Sequence, residues 1–418
     1  MDSITQITLG AAVGELVLGR KLGNRAMMWG AIAGTIPDLD IIANLFMEPI
    51  PALAVHRGIS HSIFFSVFAS FPFAWLIHKF YESNTYRRTG YKWFVFLLNL
   101  GLLIAITGSL SYMSVTLGTA VGIGVGIVVI ALGILFMYRL YQNYFLGAGD
   151  IGNAKYKDWY VLFFFAFFTH IWLDCHTAFG TQIFQPFSDY RAAFNNISVA
   201  DPAYTFPFLA CVIIAAFHKR DSIWRTRWNY IGIAVSSIYM IWTLSNKYKV
   251  DRFFEKVIAE EQIEAIRYRT SPTILNNLLW GCVAETDSSY FIGLHSLRDK
   301  GNTIPRLNEI PKRHERLKDV DGHRDIQILK WFSDGYYTVW KNPAGGMMMS
   351  DLRYGAMEDE ITSFEDFVFN FEIQRSDDGL EVKEVRNRPD NVGEAFSVLL
   401  QRIQGLKAED TRRKFINH

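Results

Sequence analysis

The chain has 418 residues, 50% of them hydrophobic, and a formal net charge of +1. Its length allows two or three domains, and the near-neutral charge gives no sign of a nucleic-acid partner. The three cysteines do not imply a disulfide framework. These averages conceal a division, because residues 1 to about 246 are strongly apolar and the remainder is charged and mixed.

The apolar part predicts an α-helical polytopic membrane bundle. A span needs about 20 mostly apolar residues, and small residues four positions apart, as at Gly10 and Gly14, let such helices approach closely. No basic leader precedes the first apolar segment, so we expect that segment to stay in the protein. We expect about eight spans, within a range of six to eight, at residues 4–19, 26–46, 62–78, 93–115, 118–138, 159–176, 203–218 and 229–246.

The Lys and Arg residues between these segments predict the orientation of the bundle, since cytoplasmic connections carry an excess of them. One set of alternate connections holds only Arg57 and Arg191. We therefore expect that set, and with it the C-terminal part, to be extracytoplasmic. The other set holds Arg20, Lys21, Arg25, Lys79, Arg87, Arg88, Lys92, Arg139, Lys155, Lys157, Lys219, Arg220, Arg225 and Arg227.

The residues beyond the last predicted span favour a different kind of structure. Their charge pattern predicts an amphipathic linker helix at 247–270. Alternating apolar runs and Gly, Asp and Asn turns then predict a soluble α+β domain at 271–418. The predicted domains are thus 1–246, embedded in the membrane, followed by the linker and this soluble domain. Strands are expected at 279–285, 289–294, 335–340, 364–374 and 379–387, and a helical segment at about 305–332.

Two carboxylates lie near the end of the second predicted span, where ionisable residues are costly and mark function. Asp38 and Asp40 follow Pro37, which predicts a break that could turn both side chains inward. Carboxylates offer oxygen ligands to zinc, manganese, iron or magnesium. The alternative is a helix end solvated by the lipid headgroups.

Two further motifs carry residues of the metal-ligand types. His56 and His61 enclose Arg57, whose planar fork could hold a phosphate or a developing oxyanion. His170 and Asp174 are four residues apart, so a helix places them on one face. They could bind one metal together, or one could orient the other. All these residues fall at the same predicted face, so the three motifs could meet at one depth.

Taken together, the segments 37–40, 56–62 and 170–180 resemble the bacterial inner-membrane metal-dependent hydrolases of the YdjM/YbcI type. The resemblance covers about residues 1–246 and implies a membrane-bound hydrolase, but it supplies no substrate. The metal ligands that it implies are among Asp38, Asp40, His56, His61, His170 and Asp174.

Our leading hypothesis is a multi-pass protein of the bacterial inner membrane that hydrolyses a lipid or another (phospho)ester at the extracytoplasmic face. One or two divalent metal ions, with zinc as the first choice and manganese, iron or magnesium as alternatives, would activate water. Arg57 would stabilise negative charge on the substrate, and Ser60 could donate a hydrogen bond. One alternative is an ion or solute transporter. Another is a non-catalytic membrane protein with a structural metal and a tail that binds a protein partner, whose identity we do not predict.

Overall fold

A computed structural model describes residues 1–117, 120–142, 153–299, 307–343, 345–356, 360–376, 379–386 and 392–405. The chain divides into two compact units. The first unit contains Met1–Ser70 together with Leu162–His418, and the second contains Phe71–Val161. All the candidate site residues belong to the first unit.

The helical part of the first unit is built around a close helix pair. Gly10 and Gly14 of one helix face Gly30 and Gly34 near the end of the next, and a Cβ added at Gly10 would lie 2.2 Å from the Gly30 carbonyl oxygen. The close approach expected from the glycine spacing is therefore confirmed. The helices of this part are α1 (Ser3–Leu22), α2 (Asn24–Ala33), α3 (Pro49–Val55) and α4 (Ile63–Phe68), followed later in the chain by α8 (Tyr156–Asp174), α9 (Pro202–Phe217) and α10 (Ile223–Glu260).

The second unit consists of helices. It contains nearly all of α5 (Ser70–Glu82), then α6 (Thr89–Leu117) and α7 (Ala120–Tyr141), and it ends within the first turns of α8. Within this unit Trp159 of α8 is buried and stacks on Tyr81 of α5, with 5.3 Å between the ring centroids.

The C-terminal part contains two antiparallel four-stranded sheets, each with its strands in sequence order. The first sheet consists of β1 (Arg267–Pro272), β2 (Leu279–Glu285), β3 (Ser289–Ser296) and β4 (Asn308–Pro311). The second consists of β5 (Tyr337–Lys341), β6 (Met347–Ala356), β7 (Phe367–Ser376) and β8 (Gly379–Arg386). Two helices accompany them, α11 (Arg324–Phe332) and α12 (Val392–Ile403).

One hydrophobic core joins the helical and C-terminal parts of the first unit. Ile50 of α3 is 1% exposed and belongs to the same core as Phe332 of α11 and Phe371 of β7. A second core joins α10 to the first sheet, where Phe254 packs with Trp280. The helix α10 runs unbroken through residue 246, so it contributes to both parts. The division at 246 and 270 stays a prediction.

The predicted bundle of about eight spans is wrong. Among the described residues, only the stretch Ile63–Glu82 is long and apolar enough to cross a membrane. The pair Asn24–Ala33 and Pro37–Leu45, bent by 47°, would add a second span if it counts as one. Three shorter apolar helices, Thr89–Ala105, Gly126–Arg139 and Pro202–Phe217, correspond to other predicted spans, and residues 118–119 lie outside the described part.

The physical reason is that an apolar run does not reveal whether its neighbours are lipid or protein. In α8 the side chains of Trp159, Phe163 and Phe167 are buried inside the protein, and polar residues at both ends of the helix lower its mean hydropathy. In α1 the buried residues include Gln6 and Glu15. Both helices were predicted as spans, and both contribute mainly to the protein interior.

Candidate metal centre

Breaks in the helices place the polar motifs. After α2 the chain turns into a 3₁₀ helix, Pro37–Leu45, which carries Asp38 and Asp40. A loop with Arg57 at a φ of 57° leads to the short 3₁₀ helix that ends at His61. The positive φ is uncommon for a residue with a side chain, and it lies in the turn between α3 and this 3₁₀ helix.

Four of the predicted ligands meet at one point. One ligand atom from each of Asp38, His61, His170 and Asp174 lies within 4.8 Å of all the others. The two Nε2 atoms of His61 and His170 are 3.1 Å apart. Asp38 Oδ1 lies 3.3 Å and 3.6 Å from them, and Asp174 Oδ2 lies 3.5 Å and 3.7 Å from them. This cluster could hold a metal ion.

Hydrogen bonds at the far side of each imidazole fix which nitrogen faces the cluster. His170 Nδ1 donates to the carbonyl oxygen of Gly34 at 2.7 Å, so Nε2 is the ring nitrogen that faces the cluster. His61 Nδ1 lies 3.2 Å from Asp40 Oδ2. Such partners are typical of metal-binding histidines, because they set the tautomer and the orientation of the ring.

The cluster is enclosed except at Asp38. The side chains of His61, His170 and Asp174 are buried, whereas that of Asp38 is 28% exposed. Burial alone would raise the pKa of Asp174, but Arg57 and the amino group of Met1 outweigh it and hold the pKa well below its usual range. Burial opposes the charged form of His61 too, yet hydrogen bonds to Asp38 and Asp40 raise its pKa.

The atoms of this cluster fit a divalent cation. Asp174 Oδ2 is buried and has no hydrogen-bond partner among the described residues. Two imidazole nitrogens facing each other at 3.1 Å need either a shared proton or a cation between them. Two nitrogen and two carboxylate ligands suit zinc, manganese or iron. The identity of the metal stays a prediction.

Asp40 and His56, the other two predicted ligands, lie one contact further out. Asp40 Oδ1 lies 2.9 Å from His56 Nδ1, and its Oδ2 accepts from the backbone N–H of Arg57 and from Ser60 Oγ. Asp40 thereby joins the loop of the second motif to the His61 ring. The assignment of all six residues as metal ligands stays a prediction.

Arg57 lies against the cluster on its inner side. Its Nε is 3.2 Å from Asp174 Oδ2, and its Nη1 donates to Thr177 Oγ1 at 2.8 Å. The ring of Phe179 lies 4.8 Å from the guanidinium carbon. Arg57 therefore partly neutralises Asp174, and Ser60 supports Asp40. The catalytic roles predicted for Arg57 and Ser60 stay predictions.

Two residues that contact the cluster belong to none of the three predicted motifs. Gln6 Nε2 donates to Asp174 Oδ1 at 3.0 Å, and the amino group of Met1 also donates to Asp174 Oδ1. A glutamine in an apolar helix is the only sequence signal, and it names no partner. His176, two residues after Asp174, lies outside the cluster, and its Nδ1 is 2.7 Å from Asn196 Oδ1.

Residues 1–250 match the family described as YdjM inner membrane protein. The match covers all three polar motifs and the whole metal cluster. Searches of curated proteins and of solved structures found no match.

Proposed function

The chain belongs to the YdjM inner membrane protein family, and from this premise we propose that it is a membrane-bound, metal-dependent hydrolase acting on a lipid or another (phospho)ester. The observation that supports the proposal is the convergence of Asp38, His61, His170 and Asp174 beside the guanidinium of Arg57. Family membership supports a location in the membrane.

These four residues would hold one divalent metal ion, with zinc as our first choice. When bound, such an ion lowers the pKa of a coordinated water and polarises the group to be cleaved. Asp40 would hold His61 in the tautomer that presents Nε2, and the Gly34 carbonyl would do the same for His170. A second metal ion would need His56 and Asp40 to leave their mutual contact.

Arg57 would act on the substrate through the part of its fork that is free. Its Nε and Nη1 face Asp174 and Thr177, whereas its Nη2 makes no hydrogen bond with a described residue. Pairing with Asp174 and packing on Phe179 hold the guanidinium in place. A preorganised cation of this kind stabilises negative charge that develops on a phosphoryl or acyl oxygen.

The surface around Asp38 supports a lipid as substrate. The 3₁₀ helix that carries Asp38, and Phe46 directly after it, expose a set of large apolar side chains, with Leu45 78% and Phe46 83% exposed. Contiguous exposed apolar residues mark membrane or partner contact. Asp38 is also the most accessible residue of the cluster, so a substrate would reach the site from this surface. The other exposed apolar residues there are Leu39, Ile41 and Ile42.

The test combines metal analysis with a substrate screen on the purified full chain. We expect about one metal ion per chain and hydrolysis of at least one phospholipid or soluble phosphoester. Asp38→Asn and His61→Gln should lose both metal and activity, whereas His78→Gln, a histidine variant away from the cluster, should keep both. A metal-loaded protein that cleaves none of the screened esters would contradict the hydrolase proposal.

A structural metal is the second candidate, and the burial of three of the four residues favours it. Structural zinc sites have four protein ligands, whereas catalytic ones keep a position open for water. X-ray absorption of the metal-loaded protein would count the ligands. Four protein ligands and no water would support the structural role, and a water ligand that azide displaces would support catalysis.

The extracytoplasmic position of the site and of the C-terminal part remains part of the proposal. The three native cysteines are buried, so single exposed cysteines can report the side of the membrane. In intact spheroplasts, a membrane-impermeant maleimide should label Asp287→Cys, in the turn between β2 and β3, but not Arg87→Cys. The opposite labelling pattern would place the C-terminal part in the cytoplasm.

A further inference from the structure

A cleft of about 430 Å³ lies between the loop that follows α8 and the start of the first sheet. Three guanidinium groups line it, those of Arg191, Arg267 and Arg269, but only two carboxylates, Asp189 and Asp334. The cleft therefore has more positive than negative side chains. The aromatic residues of its lining are Tyr190, Tyr268, Trp331 and Tyr336.

Arg191 is the least compensated of these cations. Its guanidinium lies 4.8 Å from the ring centroid of Trp331 and 5.4 Å from that of Phe332. Within the described part of the chain it forms no ion pair, and its Nη1 is buried without a hydrogen-bond partner. Burial, and then the charge of nearby Arg353, lower the pKa of Arg191 to about 9. A bound anion would stabilise a buried guanidinium that has no ion-pair partner.

Arg269 is a second arginine of the cleft whose guanidinium is only partly hydrogen-bonded among the described residues. Its side chain is 10% exposed, and its Nη2 donates to the Ala178 carbonyl and to Asn195 Oδ1. Its Nε is buried and has no partner among the described residues. The nearest carboxylate oxygen, of Asp334, is 4.0 Å from Nη1 and belongs to a largely exposed side chain. The loop contacts hold this guanidinium at the cleft whether or not a ligand is present.

Arg267 differs, because it is already paired. Its Nε donates to Glu285 at 2.5 Å, and its guanidinium lies 4.1 Å from the ring of Tyr336. This pairing leaves Arg191 and Arg269 as the guanidiniums of the cleft without a close carboxylate partner in the described part of the chain, since Asp334 lies 4.0 Å from Arg269. That distribution locates where an anionic group would sit.

We propose that this cleft binds the phosphate group of a small phosphomonoester or of a lipid headgroup. The planar fork of arginine matches phosphate oxygens, and a phosphate monoester carries close to two negative charges at neutral pH. The aromatic lining would contact the organic part of the ligand. The proposal does not rest on hydrolysis at the metal cluster.

The test is calorimetric titration of the detergent-solubilised full chain with sn-glycerol 3-phosphate, dioctanoyl phosphatidic acid and acetate. We expect a phosphate probe to bind and acetate not to bind. Arg191→Gln should weaken phosphate binding about tenfold or more, since a charge-assisted hydrogen bond is lost. Arg252→Gln removes an exposed guanidinium outside the cleft and should change the affinity less than about twofold. Preference for phosphatidic acid would identify a headgroup ligand, and preference for glycerol phosphate a soluble one.

Two further variants distinguish loss of phosphate binding in the cleft from misfolding and from loss of the metal. Arg191→Lys retains the charge over Trp331 but lacks the fork, so it should fold and still weaken binding about threefold or more. Asp38→Asn should lose the metal and still bind the phosphate probe. Phosphate bound to the metal would be lost in this variant, so the variant separates the cleft from the metal cluster. Loss of the titration in Asp38→Asn, unchanged affinity in the Arg191 variants, or no binding of any phosphate probe would overturn the proposal.

Discussion

Two buried groups of charges in the helical part of this protein differ in how completely their members satisfy one another. In the first, Arg225 donates to both carboxylate oxygens of Glu15, at 2.8 Å and 2.5 Å, and to Asn24 at 2.6 Å. In the second, Asp174 Oδ2 lies 3.2 Å from Arg57 Nε but has no hydrogen-bond partner among the described residues, and two imidazole nitrogens face each other.

The first group is a self-contained ion pair, whereas the second could hold a metal ion. A carboxylate matched by a bidentate arginine needs nothing further. The cluster around Asp174 contains two carboxylates, two histidines and Arg57, and it leaves lone pairs pointing at a common space. Burial of charge alone therefore does not indicate function, whereas burial with unsatisfied ligand atoms does.

Asp174→Asn should have the largest effect on metal binding. We expect this variant to lose bound metal, since it removes a ligand charge and leaves Arg57 beside the site without its partner. Elemental analysis of the purified protein measures the loss. Asp201→Asn, a change at a buried carboxylate that caps α9, should retain about one metal ion per chain. A full metal content in Asp174→Asn would remove Asp174 from the ligand set.

Glu15→Gln should destabilise the fold without affecting the metal. Removing one member of a buried ion pair costs about 3–5 kcal/mol, because Arg225 is left uncompensated in the interior. Chemical denaturation would measure the change in the free energy of unfolding. The double variant Glu15→Gln, Arg225→Met should recover much of the loss. Metal loss in the folded single variant would contradict the separation of the two groups.

Removal of the metal should lower the stability by an amount that depends on metal concentration. At a free metal concentration a hundred times the dissociation constant, binding contributes about 2.7 kcal/mol. The melting temperature should therefore fall when a chelator is added and recover with added zinc. Glu15→Gln should show the same chelator effect, because its metal cluster is intact. A chelator-independent melting temperature would argue against a bound metal.

Asp40→Asn should weaken metal binding without abolishing it, which is a smaller change in bound metal than the loss expected for Asp174→Asn. Asp40 contacts His61 Nδ1 and lies outside the cluster of ligand atoms. Loss of such a supporting partner typically costs 10- to 100-fold in metal affinity. Competition with a fluorescent zinc chelator would measure the change. A complete loss of metal would show instead that Asp40 is a direct ligand.

Four of the six ligands predicted from the sequence come together in the structure, whereas the predicted bundle of spans was wrong. His170 and Asp174 could be paired from their spacing alone, because a helix places residues four apart on one face. The sequence could not predict which of Asp38 and Asp40 faces the cluster, since the break at Pro37 allowed either side chain to turn inward. The contact of Asp40 with the His56 loop depends on tertiary structure.

The span count failed because apolar composition does not distinguish burial in protein from burial in lipid, and the charge count has a related weakness at Arg225. In the sequence it counted as one of the basic residues of a cytoplasmic connection, whereas in the structure it is 1% exposed and paired with Glu15. A charge count treats every Lys and Arg as accessible to water or lipid headgroups. Likewise, α8 had the composition of a span, but its Phe163 and Phe167 are buried inside the protein.

The core that contains Ile50 bears on how the site is lost when the protein unfolds. Ile50 lies six residues before His56, and its neighbours in that core come from residues 317–382. Opening of the second sheet would expose Ile50 and release the segment that carries His56, Arg57 and His61. Local unfolding of the C-terminal part is therefore thermodynamically coupled to the metal cluster. A metal ion bound at the site would therefore protect a sheet that contributes none of its proposed ligands.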